Sequence, residues 1–207
     1  MFRRLSLAAL LLLSVAPLVA QTPPGWKLRI DRSTSASDPD AAGNIKFMAT
    51  GSGFHAVNPQ AAVYWKPGNT VSGNYTLKGT FTLQRPSGHT NYYGLVFGGS
   101  NLEGAAQDYT YFMVAQDGTW LLKRRAGNGT REVAGPTPNA AVRRPGAGGT
   151  SVNALEVRAT GDKIDYVVNG AVVHSTPKSG AKTDGIYGFR VNHLLDVMVD
   201  GFGISKS

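Results

Sequence analysis

Residues 153–205 read NALEVRATGDKIDYVVNGAVVHSTPKSGAKTDGIYGFRVNHLLDVMVDGFGIS, and this stretch decides the fold. It holds four short apolar runs, 153–159, 163–168, 171–175 and 186–204, parted by turn residues. Asn169-Gly170 lies between two alternating runs, and that dipeptide readily takes the positive φ angles of a two-residue hairpin turn. Gly161-Asp162 marks a second turn, and Gly188 and Asn192-His193 interrupt the last run. This succession predicts a β-meander that closes the chain. In the last run Leu195, Val197 and Val199 share one face, whereas Phe202 and Ile204 need the opposite phase to be buried. A glycine at such a slip, Gly201, predicts a β-bulge. Glu156 and Arg158 fall on one strand face and read as a structural ion pair.

Upstream the same period-2 pattern recurs. In Tyr75–Gln84, Tyr75, Leu77, Phe81 and Leu83 face one way and Thr76, Lys78, Thr80, Thr82 and Gln84 the other, as expected of a strand with one wet face. Trp26–Arg32 alternates in the same manner, and Ile45–Thr50, Gly53–Val57 and Ala61–Lys66 read as further strands, with Pro67-Gly68-Asn69 as a turn. Tyr92–Phe97 is apolar on both faces, the mark of a central strand. Tyr109–Gln116 and Thr119–Arg125 flank Asp117-Gly118, another hairpin signal. Residues 33–43, 98–108 and 135–151 read as loops by composition, and no segment after residue 20 has a helical period. Many short strands with turns between them predict an all-β, antiparallel two-sheet sandwich.

The first 20 of the 207 residues stand apart: Met1-Phe2-Arg3-Arg4 is a basic start, Leu5–Ala16 is almost wholly apolar, and Pro17 and Ala20 precede Gln21. This is the pattern of a cleaved secretory signal peptide, and the apolar run is shorter than the ~20 residues of a membrane-spanning helix. The expected layout is therefore a signal peptide over 1–20, a linker and first strand over 21–43, and a sandwich over 44–207 that forms one domain with 21–43. The expected location is secreted or periplasmic, with no membrane span in the mature chain. There is no cysteine, so thiol catalysis, thiolate metal sites and disulfides are excluded. The formal net charge of +8 falls to +6 without Arg3 and Arg4. The basic residues are dispersed, densest at Lys123-Arg124-Arg125 with Arg131. They read either as solvated strand faces or as a surface for an acidic polysaccharide or anionic envelope; no helix gathers them into a nucleic-acid-reading face.

Sandwich glucanases pair carboxylates about 5 Å apart for retaining hydrolysis. After residue 20 the glutamates are Glu103, Glu132 and Glu156, and the residues two places on are Ala105, Ala134 and Arg158, so no Glu-x-Asp pair exists. Glu103 and Asp108, both in the 98–108 loop, are the carboxylates left as catalytic candidates, with solvated loop acids as the alternative. Among the four histidines none has a ligand partner at i+2 or i+4; His193, just before the last strand, is the third catalytic candidate. Asp38-x-Asp40 with Asn44 is an oxygen-rich group of the calcium-binding kind, but its spacing is not that of an EF-hand loop and a surface turn is the simpler reading. No other metal or cofactor is called for. Sugars stack on flat rings, so Trp65, Tyr92, Tyr93, Tyr109 and Trp120, with Arg124 as a polar partner, are the candidate ligand contacts; core packing is the alternative for each.

Asn153-Ala154-Leu155-Glu156-Val157, Gly161-Asp162-Lys163-Ile164, Val168-Asn169-Gly170-Ala171-Val172-Val173, Gly185-Ile186-Tyr187-Gly188-Phe189-Arg190-Val191 and Val199-Asp200-Gly201-Phe202, with Tyr93–Gly99 and Tyr109–Phe112, resemble the concanavalin A-like lectin/glucanase jelly rolls. More narrowly the pattern is similar to LamG-like domains and to the 3-keto-disaccharide hydrolase type (DUF1080). The resemblance covers roughly 44–205 and rests on turn and core positions, which specify fold better than function. It implies two curved antiparallel sheets in a jelly roll and a carbohydrate or glycan partner on the concave face. The laminarinase-type Glu-x-Asp-x-x-Glu motif and the Leu-Phe-Asn-Gly opening of the DUF1080 group are absent, so no catalytic residue carries over. Three functions are in view: carbohydrate binding or glycan processing, glycoside hydrolysis of the 3-keto-disaccharide type, and a non-catalytic envelope interaction through the 123–131 strip.

Overall fold

The computed structural model describes residues 22–33 and 35–206; the segment read as a signal peptide lies outside them. Among the described residues there are fourteen strands and no helix. They are β1 (Lys27–Asp31), β2 (Lys46–Thr50), β3 (Gly53–Asn58), β4 (Ala61–Val71), β5 (Tyr75–Arg85), β6 (Tyr92–Ser100), β7 (Asp108–Ala115), β8 (Thr119–Ala126), β9 (Gly129–Pro138), β10 (Ser151–Thr160), β11 (Lys163–Val168), β12 (Ala171–Pro177), β13 (Gly185–Val191) and β14 (Leu195–Lys206). Seven form sheet A, in the order β1-β4-β13-β6-β7-β8-β9, and seven form sheet B, in the order β12-β11-β10-β5-β14-β3-β2; every pairing is antiparallel. The fold is a two-sheet jelly-roll sandwich, as the sequence pattern and the resemblance imply.

The opening stretch behaves as read. Asn169 and Gly170 both have positive φ, 49° and 85°, which is the type I′ condition that lets β11 turn directly into β12. Register slips between Asp200 and Gly203, with Gly201 at φ +58°, and beyond the bulge Phe202 and Ile204 turn back onto the core. Arg158 Nε meets Glu156 Oε2 at 2.8 Å.

Two turn and loop expectations are corrected. Pro67-Gly68-Asn69 does not end its strand. Trp65 pairs with Gly188 and Thr70 with Ile186, so residues 66–69 bulge out opposite Tyr187 and β4 resumes. A proline without an N–H is tolerated because the bulge withdraws it from the ladder. Residues 135–138 belong to β9, an edge strand whose side chains are mostly exposed, so no buried alternation marks it and Pro136 and Pro138 are admissible.

The main core lies between the sheets. Phe189 stacks on Tyr64 with centroids 4.9 Å apart and stands within 6 Å of Trp26, Phe47, Phe54 and Phe202. Tyr75, Leu77, Phe81 and Leu83 of β5 are fully buried against it. A second apolar cluster, Val63, Trp65, Val96, Leu102, Tyr109, Tyr111, Met113 and Leu121, covers the opposite face of sheet A. Except for Leu102, which comes from the β6–β7 loop, these are the alternate residues of strands whose other phase fills the main core, so sheet A is packed on both faces.

Candidate functional site

On the outer face of sheet A, Asp31 from β1, Arg190 from β13, and Tyr109 and Arg125 from neighbouring β7 and β8 converge. Arg190 Nη1 donates to Asp31 Oδ2 and, at 3.1 Å, to the Tyr109 hydroxyl; that hydroxyl donates to the same Asp31 oxygen at 3.2 Å. Arg125 Nη1 stands 3.7 Å from Asp31 Oδ2, and Arg29 Nε 3.5 Å from Oδ1. β1 and β7 are four places apart in the sheet, about 19 Å if it were flat at ~4.8 Å per strand. Side chains of Asp and Tyr do not bridge that span, so sheet A curls toward this face, and the face is concave.

The cluster is buried and unbalanced. The Asp31 and Arg190 side chains are only 5% and 10% exposed, and one carboxylate answers three guanidinium groups. Burial pulls the Asp31 carboxyl upward, but Arg190, Arg125 and Arg29 outweigh it and hold it below the usual carboxylate range. Burial likewise disfavours the Arg190 cation, and the oxygens of Tyr109, Asp31 and Tyr111 outweigh that and push it above its ordinary value. Tyr109 is pushed up to about 12, chiefly by burial, so its hydroxyl keeps its proton and can donate to Asp31.

Beside the cluster opens a cleft of about 280 Å³ lined by Asp31, Arg125, Arg190, Asn91, Asn192 and His193, with Arg32, Ser33, Ser35 and Asp38 at its rim. Three connections build its far wall: the β1–β2 loop brings Asp38 and Asp40, the β5–β6 loop brings His89 and Asn91, and the β13–β14 turn brings His193. The turn is tight, with Leu194 at φ +60°. Asp40 also accepts from the Ser33 backbone N–H at 2.9 Å, and Gln116 donates to the carbonyls of Ser87 and His89, which ties two of the loops down. Asp40 Oδ1 lies 3.0 Å from His193 Nδ1, and Asp38 Oδ1 lies 2.7 Å from His89 Nε2 and 3.0 Å from His193 Nε2.

The residues singled out from the sequence are distributed as follows. His193, Asp38 and Asp40 meet in this wall, and Tyr109 and Arg125 of the basic strip meet at the floor. Trp65 is buried in the outer cluster, and Tyr92 is half-buried there, its hydroxyl 3.0 Å from Thr119 Oγ1. Tyr93 and Trp120 point the other way and fill the main core. Arg124 is on the opposite phase from Arg125 and forms a two-point contact with Asp108, at 3.0 and 2.9 Å, joined by Lys182 at 3.2 Å. Those hydrogen bonds from Arg124 and Lys182 outweigh burial and hold Asp108 below its ordinary value. Glu103 is largely exposed and paired with Lys27 at 2.6 Å. Glu103 and Asp108 thus sit in separate ion pairs, and the geometry does not combine them into an acid–nucleophile pair. The 123–131 strip is divided as well, with Lys123 facing Glu132, Arg124 held by Asp108 and Arg125 in the cleft.

Asp31, Arg190, His89, Asn91 and Asn192 escaped the sequence reading. One signal was present: Arg190 is a charge on the outward phase of an apolar strand, between the core residues Phe189 and Val191.

No protein-family model matches the chain, and no curated protein matches it in sequence. Solved structures do match in shape. The chain is similar to the carbohydrate binding module CBM66 from Bacillus subtilis, with a TM-score of 0.64 at 14% identity over 88% of this chain and 96% of that one. It is similar to a protein of unknown function with a galectin-like fold from Bacillus subtilis, with a TM-score of 0.53 at 14% identity over 87% and 89%. It is also similar to the cellulose-induced protein Cip1, with a TM-score of 0.50 at 12% identity over 88% and 91%. At this level of identity the likeness establishes the jelly-roll sandwich shared by carbohydrate-binding and galectin-like proteins.

Proposed function

We propose that the protein is an exported carbohydrate-binding sandwich that takes a sugar unit bearing a carboxylate in the concave cleft of sheet A. The observation that carries this is the floor of the cleft, where the buried Arg190 and the partly buried Arg125 both face the one carboxylate of Asp31, which leaves an excess of positive charge there. Such a floor favours an anionic ligand, since fixed charges act strongly where water is scarce. Beside it the Asn91 amide oxygen and the Asn192 amide N–H groups are left to meet hydroxyl groups, since the Asn91 N–H groups serve Ser87 and His89 and the Asn192 oxygen accepts from Arg190. A cleft of about 280 Å³ is near the lower end of the ~300–1,000 Å³ typical of ligand sites, which suits one sugar unit rather than a long stacked chain. The likeness to a carbohydrate binding module supports the class of ligand, and the basic start and apolar run of residues 1–20 support export.

Calorimetric titration of the protein with uronate-containing and neutral oligosaccharides of equal length tests the reading. The uronates bind at least tenfold tighter, and Arg125→Gln removes that preference while leaving the melting temperature within a few degrees. Equal affinity for both classes, or no binding of either at millimolar concentration, overturns it. An N-terminus at Gln21 in the exported fraction tests export.

A further inference from the structure

The cleft wall carries a group of atoms that the carbohydrate reading does not use. His89 Nε2, His193 Nε2 and Asp38 Oδ1 lie within 4.8 Å of one another. Their separations are 3.3 Å between the two nitrogens, and 2.7 and 3.0 Å from the oxygen to His89 and His193. His193 is buried, with its side chain 6% exposed.

Proton placement shows why this arrangement calls for a cation. His193 Nδ1–H donates to Asp40 Oδ1 at 3.0 Å, which in a neutral ring leaves Nε2 bare. The Asn91 amide donates to His89 Nε2 at 3.0 Å, so that nitrogen is unprotonated, and a cation would take its single lone pair in place of the Asn91 N–H. His193 Nε2 and Asp38 Oδ1, 3.0 Å apart, are then both left without a donor, which is unfavourable unless something positive lies between them. Asp38 Oδ1 is buried and lacks a hydrogen-bond partner: both imidazole nitrogens are near it, but neither has the angle of a hydrogen bond. His55 and Asp196, elsewhere on the surface, meet at 2.6 Å with hydrogen-bond geometry, so the contrast lies in the cluster and not in histidine–aspartate pairs generally.

The dimensions fit a metal ion. A triangle with sides of 2.7, 3.0 and 3.3 Å has a circumradius of about 1.75 Å, shorter than the ~2.1 Å of a zinc–nitrogen or zinc–oxygen bond. A point about 1.2 Å above its plane is therefore at bonding distance from all three atoms. Two imidazoles and a carboxylate are the donor set of zinc and its first-row neighbours, whereas calcium takes six to eight oxygens. A carboxylate on the far nitrogen of a metal-bound histidine fixes its tautomer and orientation, and Asp40 stands in that place.

We propose that His89, His193 and Asp38 form a binding site for a zinc-like divalent cation, with Asp40 as the positioning residue for His193. The ion's remaining coordination positions are left for water or ligand oxygen, because the protein supplies three donors. The site stands independently of the carbohydrate reading, since its test contains no sugar.

The full-length protein is stripped with a chelator, dialysed into metal-free buffer and titrated with Zn²⁺, and separately with Co²⁺ followed by visible absorption. One equivalent of zinc is retained through gel filtration, and cobalt gives the d–d bands of nitrogen and oxygen coordination. His89→Ala, at a half-exposed position where folding is expected to survive, weakens zinc binding at least 100-fold, and His193→Ala does the same. Asp40→Asn keeps one equivalent but binds about 10- to 100-fold more weakly. His55→Ala is unchanged. Far-UV circular dichroism and melting of each variant separate loss of metal from loss of fold. Absence of a retained equivalent in the wild type, or zinc affinity in folded His89→Ala equal to that of the wild type, overturns the proposal and leaves a proton-bridged network in its place.

Discussion

Glu156 and Arg158 form an ion pair on the outer face of sheet B, with side chains 26% and 38% exposed; Asp31 and Arg190 form one on the outer face of sheet A at 5% and 10%. The residue types are nearly the same and the surroundings are opposite. Outside β5 and β10 the neighbours are Thr76, Thr80, Thr82 and Lys78, a wet surface where water screens the pair. Outside sheet A the curl of the sheet packs Trp65, Tyr109, Tyr111 and Met113 into a second apolar cluster around the charges. An exposed pair contributes about 0–1 kcal/mol, whereas removing one partner of a buried pair costs about 3–5 kcal/mol because the other charge is stranded. Sheet B displays its polar residues to solvent, and sheet A uses them to build a shaped cleft.

The largest expected effect breaks this comparison directly. Asp31→Ala strands the buried Arg190 and lowers unfolding stability by about 3–5 kcal/mol, read from the urea midpoint. A loss under about 1 kcal/mol places the pair in the wet class. Tyr109→Phe removes one hydroxyl that bonds to both charges and costs about 1.5–3 kcal/mol, with the fold retained.

The pH dependence follows from the lowered pKa of Asp31. Its folded value lies below the unfolded value of about 3.9, so its contribution is complete above that pH and is lost as pH falls through the folded value. The stability difference between wild type and Asp31→Asn is therefore constant from neutral pH down to about 4 and shrinks below it. Glu156→Ala sharpens the other side of the comparison: its effect is within about 1 kcal/mol and fades further in high salt.

Most of the fold was legible, because alternation and turn chemistry are local. The Asn169-Gly170 turn, the buried face of Tyr75–Leu83 and the Gly201 bulge each follow from a few neighbouring residues. The misses have local causes too. Pro67 reads as a terminator unless a bulge removes it from the ladder, and β9 hides because an edge strand needs no apolar face. The candidate site was legible only in fragments. Tyr92 and Tyr93, or Arg124 and Arg125, are equivalent in composition, and a choice between them requires knowing which phase of the strand faces the core. Sheet A sends Tyr93 inward and Arg125 into the cleft. A local ligand pattern places histidines at i+2 or i+4, while His89 and His193 are 104 positions apart.

By itself the sequence determined that this chain alternates into strands, where it turns, and that no cysteine chemistry is open to it. The tertiary structure decided which outward-facing side chains share a space. That depends on strand order and sheet curvature, which arise from pairings between distant segments and leave no mark on the local pattern. Curvature brings Asp31 to Tyr109 and Arg125 across the bowl, and the strand order brings Asp38, His89 and His193 to one rim.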